Sequence, residues 1–210
     1  MKPSPSGITR ATLADFQRDA RGEYAAEIAW EFNRPGWMRN HVNGKFFEIG
    51  RLQYVIGTFG YSFRIYRDQE TSEIIPFALP GRHCTAEGWM EDDATGFETT
   101  LEERSDGIYG YPASPQDGSI ASTLKRIAAQ SLVLVDDQTT VLHIHIPSGG
   151  SLDRKSCVES LQTAKTFFEK YFPEINVRAF CTSTWLLDRE LAKVLSPDSN
   201  IAAFAHLFRP

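Results

Sequence analysis

The sequence has little cysteine, no block of concentrated positive charge and no long apolar run, and each absence narrows what the chain can be. Its three cysteines, Cys84, Cys157 and Cys181, are widely spaced and form no CxxC pair. Neither a disulfide framework nor a cysteine metal site is expected from them, and they read as reduced thiols in a cytoplasmic protein. The formal net charge is −5. A nucleic-acid-binding surface needs a cationic footprint to neutralise phosphates, and no basic run supplies one. No run approaches the roughly 18 apolar residues of a membrane-spanning helix. The N-terminal charges are not followed by an apolar segment, so no signal peptide is expected. No internal repeat is visible.

What is present is bulk for a core. Fourteen Phe, seven Tyr and four Trp in 210 residues, with 41% hydrophobic composition, suit one domain or one domain with a small appendage. "MKPSPSG" reads as a loose tail. Thr12 is a candidate N-cap for a helix in which Leu13, Phe16, Ala20, Tyr24, Ile28 and Phe32 share a face, closed by Pro35 and Gly36. "RLQYVIG" and "YSFRIYR" alternate as strands, and the intervening "GTFG" predicts a hairpin. "EIIPFALP" is a third extended piece. Residues 91–119 are the longest weakly structured stretch, and 120–132 are expected to be helical, with Leu124, Ile127 and Ala128 on one side.

The C-terminal third carries the sharper signals. "VLHIHIP" is a buried strand stopped by Pro147. "DRKSCVESLQTAKTFFEKYFP" is a helix with Val158, Leu161, Ala164, Phe168 and Phe172 on its apolar face, opened either by a Ser156/Glu159 capping box or by Asp153. "NVRAFCTST" is a strand, "DRELAKVL" a short helix running on from "WLL", and "SNIAAFAHLFRP" a final strand or pair. Strand, helix, strand, helix, strand is the order of an α/β sheet with a parallel or mixed core.

Chemistry can sit in a few places. The loop Ser148, Gly149, Gly150, Ser151 lies between a strand end and a helix start, where uncovered amides and the helix dipole suit an anion such as phosphate. The same residues also make an ordinary turn, and the loop matches neither GxGxxG nor GxxxxGK[ST]. His143 and His145 lie on one face of their strand. His145, beside the loop, suits general acid–base work, against the plain alternative of a hydrogen-bonded histidine at a sheet end. A metal site needs a third ligand, and none is obvious. Cys181, Ser183 and Trp185 are expected along one face of a strand, with Asp188 in the next turn. Cys181 could pair with a histidine as a nucleophile, or be a small buried thiol. The acidic "EDD" at 91–93 and "EE" at 102–103 read as a solvated face.

At "LHIHIPSGGSLDRKSCVESLQTAKTFFEKYFP", "FCTSTWLLDRELAKVL" and "DSNIAAFAHLF" the sequence resembles a known family, and "IGRLQY" and "GYPASP" add to the likeness. The family is the bacterial acyltransferase-domain proteins with a GNAT-like C-terminal part, and the resemblance covers roughly residues 45–210. It implies an α/β (α+β) fold, a mixed and mostly antiparallel twisted sheet with one splayed parallel strand pair, flanked by helices. It also implies three parts: an N-terminal helical segment at 1–45, the N-terminal half of the acyltransferase sheet at 46–135, and the GNAT-like C-terminal domain at 136–210.

The activity implied is transfer of an acyl group from acyl-CoA, or a related pantetheine thioester on a carrier protein, to an amine or hydroxyl of a small molecule. Coenzyme A is then a co-substrate held by Ile146, Ser148, Gly149, Gly150 and Ser151, and no metal is required. His145 would take the proton of the attacking amine, and Ser183 or Cys181 would return one to the departing thiolate. No nucleic acid or membrane partner is expected, and the oligomeric state stays open. One departure is plain: superfamily members carry Gln/Arg-x-x-Gly-x-Gly/Ala at this loop, and this chain reads "PSGGSLDRK". That departure motivates the alternative of a non-catalytic ligand- or partner-binding module with a degenerate GNAT-like fold. A weaker alternative is a Cys–His hydrolase using Cys181 and His145.

Overall fold

In the computed structural model, which describes residues 45–208, the strands are short and most of the pairings are antiparallel. The expected N-terminal helix lies outside the described residues. The chain divides into two units interleaved in sequence. Among the described residues the first contains those from Lys45 to Gly57 and Leu142–Ser183, and the second Thr58–Val141 with those from Thr184 to Phe208.

The first unit holds a four-stranded sheet in the order β1-β2-β11-β12, where β1 is Phe46–Ile49, β2 Leu52–Thr58, β11 Thr140–His145 and β12 Ala179–Cys181. The helix α1, Arg154–Tyr171, connects β11 to β12. A helical crossover of this kind is what joins parallel neighbours, whereas β1 and β2 form an antiparallel hairpin. Ile49 opposes Leu52, so Gly50 and Arg51 are the whole connection. Gly50 has φ +62°, and glycine at the first central position is the type II′ pattern that matches strand twist. Leu52, Gln53, Tyr54 and Val55 are all buried. A strand covered on both faces and paired on both edges has no edge left, and so the expected hairpin with 61–67 does not form.

α1 starts where Asp153 accepts from the Ser156 amide at 2.9 Å and from its hydroxyl at 2.8 Å, so Asp153 is the cap and the Ser156/Glu159 box is not used. Its buried residues are Cys157, Ser160, Ala164 and Phe168, a face rotated from the one expected by a polar member, Ser160. The Ser160 hydroxyl lies 2.7 Å from the Tyr54 hydroxyl and donates to the Ile49 carbonyl, tying the helix to the hairpin. At the other end of α1, Phe47 of β1 meets Phe168 edge-on at 5.0 Å and Phe172 at 5.3 Å between ring centres.

The second unit holds three small sheets. One has the order β10-β3-β4 (Leu132–Val135, Phe63–Arg67, Ile74–Ala78), one is β5-β6 (His83–Cys84, Phe97–Glu98), and one is β7-β8-β9 (Leu101–Arg104, Gly107–Gly110, Lys125–Ile127). Tyr66, Ile75, Phe77, Ile108 and Ile127 form one buried cluster, and Ala78, Cys84, Ala113 and Ile120 another. Residues 91–119 are therefore not featureless, since β6, β7 and β8 lie in them. The expected helix at 120–132 is also corrected. Lys125–Ile127 pair with β8, Ile127 opposite Ile108, and this non-local pairing overrides a helix-like local pattern.

After β12 the chain forms a 3₁₀ turn at Trp185–Leu187, then α2 (Arg189–Val194) and α3 (Asn200–Ala205). Asp188 is extended and separates α2 from the turn, so α2 does not run on from "WLL". The expected final strand is a helix: Ser199 caps it by accepting from the Ala202 amide at 3.2 Å, its alanines favour helix, and Phe204 is fully buried.

Candidate functional site

The strand end, loop and helix start expected from the sequence are present as one continuous stretch in the first unit. β11 ends at His145, residues 146–153 form the loop, and α1 begins at Arg154. Gly149 and Gly150 have φ of +79° and +89°, a backbone other residues adopt at a cost, and Ser148 to Ser151 are exposed. His143 and His145 are both half-buried and flank the buried Ile144, as a shared face requires. His143 packs over β2: a Cβ on Gly57 would fall 2.9 Å from its ring, so glycine is what admits the imidazole there. The ring of His145 lies 6.0 Å from that of Phe46.

β12 lies beside β11, and the Thr182 hydroxyl donates to the Ile144 carbonyl at 3.2 Å across the two strand ends. His145 and Ser183 are the next residues along on either side of that bond. Ser183 is exposed. Cys181 is only 8% exposed, and burial pushes its thiol up to about 11. A thiol so protonated at neutral pH is a poor nucleophile. The expectation that Trp185 shares a strand face with Cys181 and Ser183 is corrected, because β12 stops at Cys181 and Trp185 belongs to the 3₁₀ turn. Cys84, Cys157 and Cys181 are all free thiols. Among the described residues no group of three His, Cys, Asp or Glu side chains is arranged to hold a metal ion.

The residue that sequence reasoning missed is Arg51. From the tip of the β1–β2 hairpin its guanidinium donates to three loop carbonyls: Nε to Ser151 at 2.8 Å, Nη1 to Pro147 at 3.1 Å and Nη2 to Gly150 at 3.2 Å. The hairpin tip is itself held, since Ser160 and Tyr54 fix Ile49 and a Cβ on Gly50 would touch Ser160 at 3.3 Å. The available signal was "FFEIGRLQYV", two alternating runs around a glycine, which is a hairpin pattern. Charge at the loop is mixed. Arg51, Arg154 and Lys155 are cationic, α1 has no acidic residue in its first turn, and Asp153 is the counterweight. Hydrogen bonds from Ser156 hold the Asp153 carboxyl below its ordinary range, so it stays ionised.

A separate cavity of about 460 Å³ lies along the second half of α1 and the segment leading into β12, with Leu142, Lys165, Phe168, Arg178 and Phe180 among its walls. None of the expected site residues lines it.

Fold and loop together define a mixed-sheet α+β domain of the GNAT type that contains a strand–loop–helix–strand unit. The chain belongs to the family of GNAT-like C-terminal domains, whose family model matches residues 46–210. No curated protein matches the chain. Among solved structures it is similar to an acyltransferase in complex with decanoyl-CoA and teicoplanin, with 22% identity, a TM-score of 0.43, 81% of this chain covered and 29% of that one. It is also similar to an acyltransferase in complex with decanoyl-CoA, at 24% identity and TM-score 0.43, covering 82% of this chain and 31% of that one. A mutant acyltransferase in complex with octanoyl-CoA is similar at 19% identity and TM-score 0.45, covering 96% of this chain and 44% of that one. The chain thus spans less than half the length of these solved proteins.

Proposed function

We propose that this chain carries the acyl-CoA-binding part of an acyltransferase, which moves an acyl group from a coenzyme A or related pantetheine thioester to an amine or hydroxyl of a small molecule. The observation that carries this reading is the β11–loop–α1–β12 unit within a GNAT-like C-terminal domain, its exposed loop set among Arg51, Arg154 and Lys155. Cations in a helix's first turn oppose its dipole, and such a choice makes sense where an anion is to be held.

In this reading the amides of the Ile146–Ser151 loop bind the pyrophosphate. His145 accepts the proton of the attacking amine as its nitrogen bonds to the thioester carbon. Backbone amides at the strand ends stabilise the oxyanion. The C–S bond then breaks, and a proton passes to the departing thiolate. Ser183 is the better donor candidate on access, because it is exposed and Cys181 is not. Calorimetric titration with coenzyme A, acetyl-CoA, octanoyl-CoA and decanoyl-CoA tests the reading. Saturable binding is expected, and none with any of the four overturns it.

One observation favours a second reading. The Asp153 carboxylate already takes the Ser156 amide, and it puts negative charge where a helix start would otherwise meet a phosphate. A non-catalytic binding module is consistent with that, and with the absence of the usual glycine signature. Mass-spectrometric detection of an acylated amine after turnover with an amine library rejects this second reading.

A further inference from the structure

We propose that the cavity along the second half of α1 is a second ligand site, which takes a small carboxylate with an apolar chain. Its volume of about 460 Å³ falls in the roughly 300–1,000 Å³ range of small-molecule sites. Leu142, Phe168 and Phe180 are its apolar walls, and the first two are almost wholly buried. The aromatic walls are held by rings that do not line the cavity. Phe168 meets Phe47 at 5.0 Å and Phe172 at 5.6 Å, and Phe180 meets Tyr54 at 5.9 Å between ring centres. Neither wall can fold inward without breaking those contacts, so the space is built into the packing. It is also distinct from the loop proposed for coenzyme A. Along the axis of α1, Lys165 beside the cavity is roughly 16 Å from Arg154 beside the loop.

The charged lining residues are the exposed ones, so charge gathers at the mouth. They are Lys165, Glu169 and Arg178. Lys165 and Glu169 stand one turn apart on α1, 3.9 Å between their charged atoms, and answer each other. Arg178 has no hydrogen bond or ion pair among the described residues. Its guanidinium is the unmatched charge of the mouth, and its planar fork of donors suits a carboxylate. The negative end of the α1 dipole is answered by Lys170 in the last turn. An anionic head at Arg178 leaves the ligand's chain to the apolar walls, where burial favours it.

Amide NMR titrations with octanoate, 1-octanol and octylamine at pH 7 decide the matter, in the wild-type chain and in Arg178→Gln. The three probes share one chain length and differ in the head group. A bare apolar cavity ranks the alcohol first, because a carboxylate loses more hydration on entry. The expected result is the reverse. Saturable shifts are expected at residues 165–169 and 175–180, with octanoate bound about threefold more tightly than octanol and octylamine weakest. In Arg178→Gln octanoate is expected to lose that advantage while octanol binds as before, a change that a purely structural arginine would not produce. Octanol binding the wild type as well as octanoate does overturns the proposal, and so does an Arg178→Gln variant that keeps the preference. Octanoate shifts confined to residues 146–153 overturn it too, as does the absence of saturable binding. Concentration-dependent shifts at the cavity residues without any probe would assign this face to a second copy of the chain and reject a small-molecule site. Coenzyme A binding, present or absent, bears on the loop and not on this cavity.

Discussion

Ser160 is a small polar residue on the buried face of a helix, and it does more than fill space. Its hydroxyl joins the Tyr54 hydroxyl to the Ile49 carbonyl, and Ser160 and Tyr54 are both almost wholly buried. Burial pushes the Tyr54 phenol up to about 12, so it remains a neutral partner across the working pH range. Replacing one partner of a buried pair strands the other without solvent. Ser160→Ala is therefore expected to cost about 1–3 kcal/mol, read by urea denaturation. Combining it with Tyr54→Phe is expected to cost less than the sum of the two single changes, because the second change removes the stranded phenol group. Strict additivity would show that the two hydroxyls do not act together.

At the scale of elements, Asp68 links two connections that are far apart in sequence. Its carboxylate accepts from Thr71 at 2.7 Å and from the Glu70 amide at 3.3 Å within the β3–β4 connection. It also accepts from the Ala128 amide at 3.0 Å and the Ser131 hydroxyl at 3.3 Å in the β9–β10 connection. Led by the Thr71 hydroxyl, these donors lower the carboxyl from its ordinary 3.8 to about 2. The folded form thus prefers the charged state, so the stabilisation is complete above pH 4 and is lost as pH falls from about 4 toward 2. Thermal melts between pH 2 and 7 are expected to fall on the acid side in the wild type. In Asp68→Asn that fall is expected to be shallower, with a lower Tm at neutral pH, and an identical acid limb in both proteins would refute the assignment.

What could be read in the sequence follows from the same local-versus-distant division. β11 was legible because "VLHIHIP" alternates and ends in a proline, and α1 because its apolar residues recur at helical spacing over a long stretch. The loop between them was legible from its glycines. β9 was not, since "LKRIAAQ" has helix-forming content and only pairing with β8 makes it a strand. α3 was not, since its cap Ser199 sits inside "SPDSN", which reads as a turn in its own right. Arg51 was invisible because its function in the fold is set by carbonyls about 100 positions further along the chain.

For the whole molecule, the interleaving of the two units matters most. The sheet order β1-β2-β11-β12 places β11 against a strand contributed from before residue 60, so the strand–loop–helix–strand unit is not self-sufficient. A fragment of residues 136–210 would expose one edge of β11 and lose Phe47, Tyr54 and Arg51 from around α1 and the loop. It is expected to give a poorly dispersed amide NMR spectrum and no coenzyme A binding, while residues 46–210 give a dispersed one. A well-folded 136–210 fragment would contradict the structure's account of its core.

The buried thiols have a practical corollary. Cys84, Cys157 and Cys181 are each inaccessible, and desolvation raises all three above their ordinary range. A maleimide reacts with exposed thiolates, so the native chain is a dark background for labelling. Ser148→Cys, at an exposed position of the loop, would then carry a single fluorophore. Its emission would show whether coenzyme A reaches the loop.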